Sequence, residues 1–292
     1  MKTHDSNLEA IPFGIYEKAL PRQMTWPERL TTAKDLGFTS VEISVDETDE
    51  RIARLEWDTK RRGELRQAIV DTGIPIKSMS LSTHRRYPLG SASEEKRQMG
   101  LDLFYRAIDF VADIGIRLIL VAGADVYHED RTDDTEKWFL EGLEKGFEKA
   151  SGAGVMLALE NWDHGIDSIE KAMSYVDHFH SPWFQLYADI GNLAYAGYNV
   201  TEELELGKDH IAAVHVKDTL PGQVRYVPPG EGVVPFVDSF FKLAEIGFQG
   251  PIVLELWTEE EPDAIAQVAH AYGWIREKME AGWQAYNEAQ TA

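Results

Sequence analysis

The sequence contains no cysteine among its 292 residues. A chain without thiols has no disulfide bridge, no thiolate-bound zinc and no iron–sulfur cluster. It also lacks any run of 18 or more apolar residues, which is the length that a membrane-spanning helix needs. The opening stretch "MKTHDSNLEA" has no apolar segment of the kind found in secretory signals. These absences predict a cytoplasmic protein that does not enter a membrane.

Positive charge is scarce. The chain has 29 lysines and arginines against 50 aspartates and glutamates, and its formal net charge is −21. A field of that sign repels nucleic acid and anionic membrane surfaces. Nucleic acid and membranes are therefore not expected as partners, and an anionic small molecule would need a local basic pocket.

Apolar residues are abundant, at 43% of the chain, and they recur in a regular pattern. A polar helical stretch ends in glycine, which fits the left-handed position after a helix, and a β-rich apolar run follows. Such runs are typical of parallel strands that are buried on both faces. The pattern occurs five times: "DLGFTSVEIS" at Asp35, "DTGIPIKSMSLS" at Asp71, "DIGIRLILVAG" at Asp113, "GAGVMLALE" at Gly152 and "EIGFQGPIVLE" at Glu245.

Three further runs fit between these, namely "IPFGIY" near Ile11, "WFQLYAD" near Trp183 and "IAAVHVKD" near Ile211. The chain then contains about eight strand–helix units of roughly 30 residues, which predicts an α/β protein with a closed (β/α)8 TIM barrel. We expect a single barrel domain over residues 1–292. The alternative is an open doubly wound sheet, but its G-x-G-x-x-G fingerprint is absent after the first strand.

Four successive late strands end in residues that bind metals, namely Glu160, Asp189, His215 and Glu255. Glu255 stands inside the apolar run "PIVLELW", where an unpaired carboxylate would cost several kcal/mol to bury. Each residue alone is explained as a helix cap, an ion-pair partner or a core histidine. A barrel, however, brings all four to one rim. One nitrogen and three oxygen donors suit Mn²⁺, Co²⁺, Mg²⁺ or Zn²⁺, and a bound dication offsets the cost of burying Glu255.

Longer stretches carry a resemblance over nearly the whole chain. They are "PFGIYEKALP", "VEISVDETDERIARL", "LSTHRRYPLGS", "PWFQLYADIGN", "VHVKDTLPG" and "PPGEGVVPF". With the four strand-end residues, they resemble the L-ribulose-5-phosphate 3-epimerases, also called L-xylulose-5-phosphate 3-epimerases, of the xylose isomerase-like barrel superfamily. A departure follows Glu160, where "ENWD" places Trp162 and Asp163 and puts the fit of the substrate there in question.

The resemblance implies one divalent metal ion, Mn²⁺, Zn²⁺ or Co²⁺, held by Glu160, Asp189, His215 and Glu255. It also implies that Glu160 and Glu255 act as the acid/base pair. The substrate is then a small sugar phosphate, and the assembly a homodimer or larger oligomer.

Candidate substrate contacts lie beside these strand ends. His84 and Arg85 follow the third strand in "STHRRYPLG", and an arginine suits bidentate phosphate binding. Lys217 lies two residues beyond His215, and Ser44 and Asn192 follow the second and sixth strands. The alternative interpretation is a surface cluster of ion pairs for His84 and Arg85 and the closing of a turn for Asn192, and the sequence does not choose among these.

The function implied is the inversion of C3 in a ketopentose 5-phosphate, between L-ribulose 5-phosphate and L-xylulose 5-phosphate, through an enediolate. An aldose–ketose isomerase acting on a sugar or hexulose phosphate is the alternative, because its chemistry also passes through an enediolate. An abasic-site endonuclease of the same superfamily is disfavoured, since those enzymes use more histidine ligands and a basic surface. This chain has 9 histidines and a net charge of −21.

Overall fold

Eight parallel strands close into a barrel in the computed structural model, which describes residues 8–162 and 165–291. Each strand pairs with the next along the chain, and the first pairs with the eighth. The predicted (β/α)8 barrel and each of its predicted strands are confirmed. The strands are β1 Phe13–Tyr16, β2 Ser40–Val45, β3 Ile76–Leu81, β4 Leu118–Ala122, β5 Met156–Glu160, β6 Phe184–Asp189, β7 Ile211–Val216 and β8 Ile252–Leu254.

Helices follow the strands, and local signals in the sequence mark where several of them begin and end. The side chains of Asp58, Ser93 and Ser168 accept hydrogen bonds from backbone N–H groups in the first turns of the helices that begin at the next residue. The helices are α1 Trp26–Asp35, α2 Asp49–Ile52, α3 Thr59–Thr72, α4 Glu94–Ile114, α5 Thr135–Gly152, α6 Ile169–Phe179, α7 Ile190–Ala196, α8 Val200–Leu206, α9 Phe236–Glu245 and α10 Ala264–Thr291.

Glycines with positive φ follow the helices at the five junctions recognised in the sequence, as at Gly73 after α3 and Gly115 after α4. A residue with a Cβ is disfavoured in that conformation, so the glycines end the helices and start the strands. Within the described residues, no helix combines the length and apolarity needed to cross a bilayer.

Alternation along the strands separates two apolar cores. One set of side chains packs outward against the helices, as do Leu157 and Leu159 on β5. The intervening residues point into the barrel, where Ala158, Tyr187 and Ala213 belong to a small separate cluster. Glu160, Asp189 and His215 each come two residues after a member of that cluster, and they therefore share its inward face at the carboxyl ends of the strands.

Close packing of α4 against α5 depends on a glycine. A Cβ built on Gly146 would lie 2.1 Å from Cε1 of Phe104, a fully buried ring of α4. We expect Gly146→Ala to destabilise the fold by about 1–3 kcal/mol, because the ring has no space to move away. Urea denaturation followed by circular dichroism measures this loss.

Gly152→Ala, at the end of the same helix, is the matched control. Its Cβ would meet no atom within 4 Å, so the change should be neutral or stabilise by about 0.4–1 kcal/mol. Equal effects of the two substitutions would contradict the packing argument.

Candidate metal centre and substrate pocket

The barrel brings together Glu160, Asp189, His215 and Glu255. One ligand atom from each lies within 4.8 Å of those from the other three, and all four side chains are buried. Asp189 and His215 are paired neighbours on β6 and β7, while Glu160 ends β5 and Glu255 follows β8. Three carboxylates and one imidazole at this spacing fit one divalent cation. The cluster therefore has the donors and the burial that a metal centre requires.

Lys217 lies among these carboxylates. Its Nζ donates to Asp189 Oδ2 at 2.5 Å and to Glu255 Oε2 at 2.7 Å, and the side chain is buried. Burial alone would lower the pKa of Lys217, but the Asp189 and Glu255 carboxylates raise it above its ordinary value. Lys217, predicted from the sequence as a substrate contact, is therefore paired with two of the four residues that could hold a metal.

The two glutamates stand in different electrostatic surroundings. Burial raises the pKa of Glu160 to about 7, against the opposing effect of His215, whose Nδ1 lies 2.8 Å from Glu160 Oε1. Burial acts on Glu255 in the same sense, but the neighbouring Lys217 and His215 outweigh it and lower the pKa of Glu255 to about 2. The same residue type is therefore tuned in opposite directions by its neighbours.

A pocket of about 450 Å³ opens over the cluster at the carboxyl ends of the strands. Glu160 and Glu255 line it, whereas Asp189 and His215 are not part of its wall. A volume of this size is that of a small-molecule site. Two of the four clustered residues can therefore touch a bound molecule, and the other two lie behind them.

Two arginines on the pocket wall, Arg85 and Arg225, stack on the ring of a tryptophan. Arg85 and Arg225 stack over the Trp162 ring, with Cζ at 4.4 and 5.3 Å from its centroid, and Arg225 also lies 4.9 Å from the Trp257 ring. Nε of Arg85, and Nε and Nη2 of Arg225, are buried without a hydrogen-bond partner. Neither guanidinium forms an ion pair within the described residues, although the chain is strongly acidic. Such donors are suited to an anion.

The structure places His84 beneath the pocket wall. Its Nε2 lies 3.3 Å from the Gly100 carbonyl oxygen, its ring packs edge-on against Phe104 at 5.2 Å, and the residue is buried. Arg85, the next residue, is the member of this pair that lines the pocket. Successive residues of the one-turn helix Thr83–Arg85 thus face different ways.

Asn192 and Ser44 support residues of the site from behind. The Asn192 amide donates to the Asn161 carbonyl, and its backbone N–H donates to Asp189 Oδ1 at 2.8 Å. The Ser44 hydroxyl lies 2.9 Å from the hydroxyl of Tyr16, which is on the pocket wall. These contacts position the ligand carboxylate and the wall. Asp163, singled out in the sequence, lies outside the described residues.

Reasoning from strand ends missed Arg225 and Glu42. Arg225 lies in the irregular segment between β7 and α9, and nothing in "PGQVRYVPPG" distinguishes it. Glu42 had a signal, since it interrupts the apolar strand "SVEISV" in the same way that Glu255 interrupts "PIVLELW". It is fully buried in the barrel, and its Oε1 lies 2.8 Å from Nε2 of His215.

Comparisons with known proteins identify the family of this chain. A sequence model of the xylose isomerase-like TIM-barrel family matches residues 30–278. Proteins named L-ribulose-5-phosphate 3-epimerase UlaE, from Escherichia coli O1:K1 / APEC and from Escherichia coli strain SE11, are each 49% identical over 270 residues, or 92% of this chain and 95% of theirs.

Solved structures share the fold. A structure of L-ribulose 3-epimerase is 20% identical with a TM-score of 0.79, covering 97% of this chain and 98% of its own. The Escherichia coli 3-keto-D-glucoside 4-epimerase YcjR is 23% identical with a TM-score of 0.75, covering 91% of this chain and 99% of its own. At these identities the structural matches establish the barrel alone.

The buried position of His84 makes a prediction about pH. Burial lowers the pKa of its imidazole to about 4 from the ordinary value of 6.5, although the hydrogen bond to Gly100 opposes the shift. Between these values the unfolded chain binds a proton that the folded chain does not, so His84 contributes stability above pH 6.5 that is lost as the pH falls toward 4. We therefore expect the stability advantage of the wild type over His84→Gln to shrink between pH 7 and pH 4, by up to about 3 kcal/mol.

Urea denaturation at a series of pH values measures this difference. His270→Gln, at an exposed position, is the control and should show a difference that changes little with pH. A constant difference between wild type and His84→Gln would contradict the prediction.

Proposed function

We propose that this chain, which belongs to the xylose isomerase-like TIM-barrel family and within it to the L-ribulose-5-phosphate 3-epimerases, inverts C3 of a ketopentose 5-phosphate and interconverts L-ribulose 5-phosphate and L-xylulose 5-phosphate. One observation carries the proposal. Of the four residues in the buried cluster, the two glutamates line the pocket and the aspartate and histidine do not. That is the arrangement needed if two residues both hold a metal and transfer protons while two only hold it.

Glu160, Asp189, His215 and Glu255 would hold the ion, for which Mn²⁺, Zn²⁺ and Co²⁺ are the candidates. When bound, the ion would supply Lewis-acid stabilisation of the negative charge that develops on the substrate. Asn161 and Asn192 keep Asp189 in place, since the Asp189 backbone N–H donates to the Asn161 amide oxygen at 2.8 Å and the Asn192 backbone N–H donates to Oδ1.

Inversion at C3 is a proton exchange between two faces. The C3–H bond is acidic because it adjoins the C2 carbonyl, and an ionised glutamate removes this proton and leaves an enediolate. The second glutamate, in its protonated form, delivers its own proton to the opposite face of C3. Glu160 ends β5 and Glu255 follows β8, and both line the pocket, so a ketose bound between them would meet one carboxyl group on each side.

The phosphate would be bound by Arg85 and Arg225. Their unpartnered guanidinium nitrogens lie on the same pocket as the glutamates, and stacking on Trp162 restricts both side chains. Lys18, the other cation on the wall, is already paired with Asp46 at 2.5 Å. A dianionic phosphate therefore finds its free donors at the arginines.

Exchange in D2O tests the reaction. With protein loaded with Mn²⁺ and L-xylulose 5-phosphate as substrate, we expect proton and carbon NMR to show L-ribulose 5-phosphate carrying deuterium at C3. Glu160→Gln and Glu255→Gln should each lower turnover at least about 100-fold, since each removes a proton-transfer group. Metal content is measured for each variant, so that lost metal is distinguished from lost acid/base chemistry.

Other outcomes decide against the proposal. Deuterium at C1 or C2 with an aldose product would identify an aldose–ketose isomerase instead. Full turnover by a metal-loaded Glu160→Gln variant would refute the two-glutamate scheme, and no exchange at all would refute the substrate.

Phosphate recognition is tested by Arg85→Met and Arg225→Met. We expect each to lower kcat/KM for the 5-phosphate about 10- to 100-fold, because a charge-assisted hydrogen bond contributes about 1.5–3 kcal/mol. The slow reaction of the unphosphorylated ketose should change little. Arg86→Met is the control, because Arg86 is exposed and paired with Asp49. Equal losses for both substrates would assign the two arginines to packing around Trp162.

A further inference from the structure

Glu42 is a buried carboxylate that the proposed mechanism does not use. It lies in the middle of β2, is fully buried inside the barrel and has no lysine or arginine partner among the described residues. Burying such a group costs several kcal/mol unless hydrogen bonds and charges around it compensate. The contacts that offset the cost of burying Glu42 indicate what this residue does.

Two hydroxyl groups donate hydrogen bonds to one carboxylate oxygen of Glu42. Ser78 Oγ donates to Oε2 at 2.6 Å, and the Tyr187 hydroxyl donates to the same atom at 2.8 Å. The other oxygen, Oε1, lies 2.8 Å from Nε2 of His215. Both hydroxyls donate to the Glu42 carboxyl group, which thus acts as an acceptor, and Nε2 of His215 is the matching donor to its other oxygen.

The other ring nitrogen of His215, Nδ1, faces the carboxylates of Glu160, Asp189 and Glu255. Its Nδ1 lies 2.8 Å from Glu160 Oε1, 3.7 Å from Glu255 Oε2 and 3.9 Å from Asp189 Oδ2. A histidine binds a metal through an unprotonated nitrogen, and the hydrogen bond made by the other nitrogen selects which one that is. Contact with Glu42 therefore leaves Nδ1 as the atom available to the ion.

The residues around Glu42 hold it rigidly. Ser78 lies directly opposite Glu42 on the adjacent strand β3, while Tyr187 reaches it from β6 across the barrel. The Tyr187 ring is also 4.6 Å from the His215 ring, and it is fully buried. All of these residues lie on barrel strands, so the orientation of the imidazole is set by the most rigid part of the fold.

We propose that Glu42 is a positioning residue that keeps the proton of His215 on Nε2 and directs Nδ1 to the metal ion. This role rests on the metal site proposed above. Residues that support a metal ligand in this way typically change metal affinity 10- to 100-fold when they are replaced. Glu42 should therefore be needed for tight metal binding although it touches neither the ion nor the substrate.

Metal affinity provides the first test. Competition with a chromophoric chelator measures the Kd for Zn²⁺ in wild type, Glu42→Gln, Glu42→Asp and Ser78→Ala. We expect Glu42→Gln to raise Kd about 10- to 100-fold, and Glu42→Asp, which keeps the charge but shortens the side chain, to raise it less. Ser78→Ala removes a donor to Glu42 but keeps the contact with His215, so it should change Kd less than about threefold. Circular dichroism verifies that each variant is folded.

Nuclear magnetic resonance provides a second test that requires no variant. In wild-type protein loaded with ¹¹³Cd²⁺ and labelled with ¹⁵N at histidine, we expect cadmium coupling to Nδ1 of His215 and a hydrogen on Nε2. Coupling to Nε2 would overturn the proposal.

The two proposals fail in distinguishable ways. Tight Zn²⁺ binding by the wild type with an unchanged Kd in Glu42→Gln would overturn the role of Glu42 alone. A wild type that binds neither Zn²⁺ nor Cd²⁺ would overturn the metal site and the role of Glu42 with it.

Discussion

The barrel concentrates negative charge in its interior, beneath the pocket. Four carboxylates, those of Glu42, Glu160, Asp189 and Glu255, are buried at or below the carboxyl ends of the strands. Among the described residues, one lysine and one histidine form ion pairs with them, so the four carboxylates outnumber their cationic partners by two. Such a concentration of carboxylates is unfavourable at low dielectric, and a multivalent cation would offset its cost. Burying these carboxylates together therefore does not favour folding, but it suits the binding of a cation.

The arginines near the pocket are of two kinds, those that form ion pairs within the described part of the chain and those that do not. Arg51 pairs with Glu17, Asp46 and Glu259, which ties together the segments that follow β1, β2 and β8. These pairs are inside the protein, with both partners compensated, and they hold the rim in shape. Among the described residues, Arg85 and Arg225 form no such ion pair, and both line the pocket. Paired charges therefore build the rim, whereas these two guanidinium groups have donors left for an anion.

Much of this was predictable because parallel barrels impose two simple periodicities. Strand position follows from apolar runs after glycine, and inward direction at the strand ends follows from alternation, so Glu160, Asp189, His215 and Glu255 could be found without coordinates. The same signal is present within a strand, since Glu42 interrupts the apolar run of β2 in the way that Glu255 interrupts "PIVLELW".

Other features depend on contacts between distant parts of the chain. The sequence predicts Lys217 as a substrate contact, and the structure adds that its ammonium group is paired with the carboxylates of Asp189 and Glu255. The sequence predicts both His84 and Arg85 as substrate contacts, and the one-turn helix that carries them directs Arg85 to the pocket and His84 to the Gly100 carbonyl. Arg225 lies in a segment without periodicity, where the spacing of residues does not predict which way a side chain points. The ion pairs that form across the barrel and the path of an irregular loop do not follow from sequence periodicity, so a structure is needed to locate them.

The choice between epimerisation and isomerisation is a matter of position rather than of catalytic groups. Both reactions remove a proton next to a carbonyl, and a metal centre with two glutamates serves either one. What differs is which carbon lies between Glu160 and Glu255. If Arg85 and Arg225 hold the phosphate at C5, the distance from that anchor to the glutamates selects the carbon, and a fixed chain of atoms leads to C3 rather than C1. Specificity would then be set by two arginines that take no part in the chemistry, which is the kind of remote binding that positions a substrate for reaction.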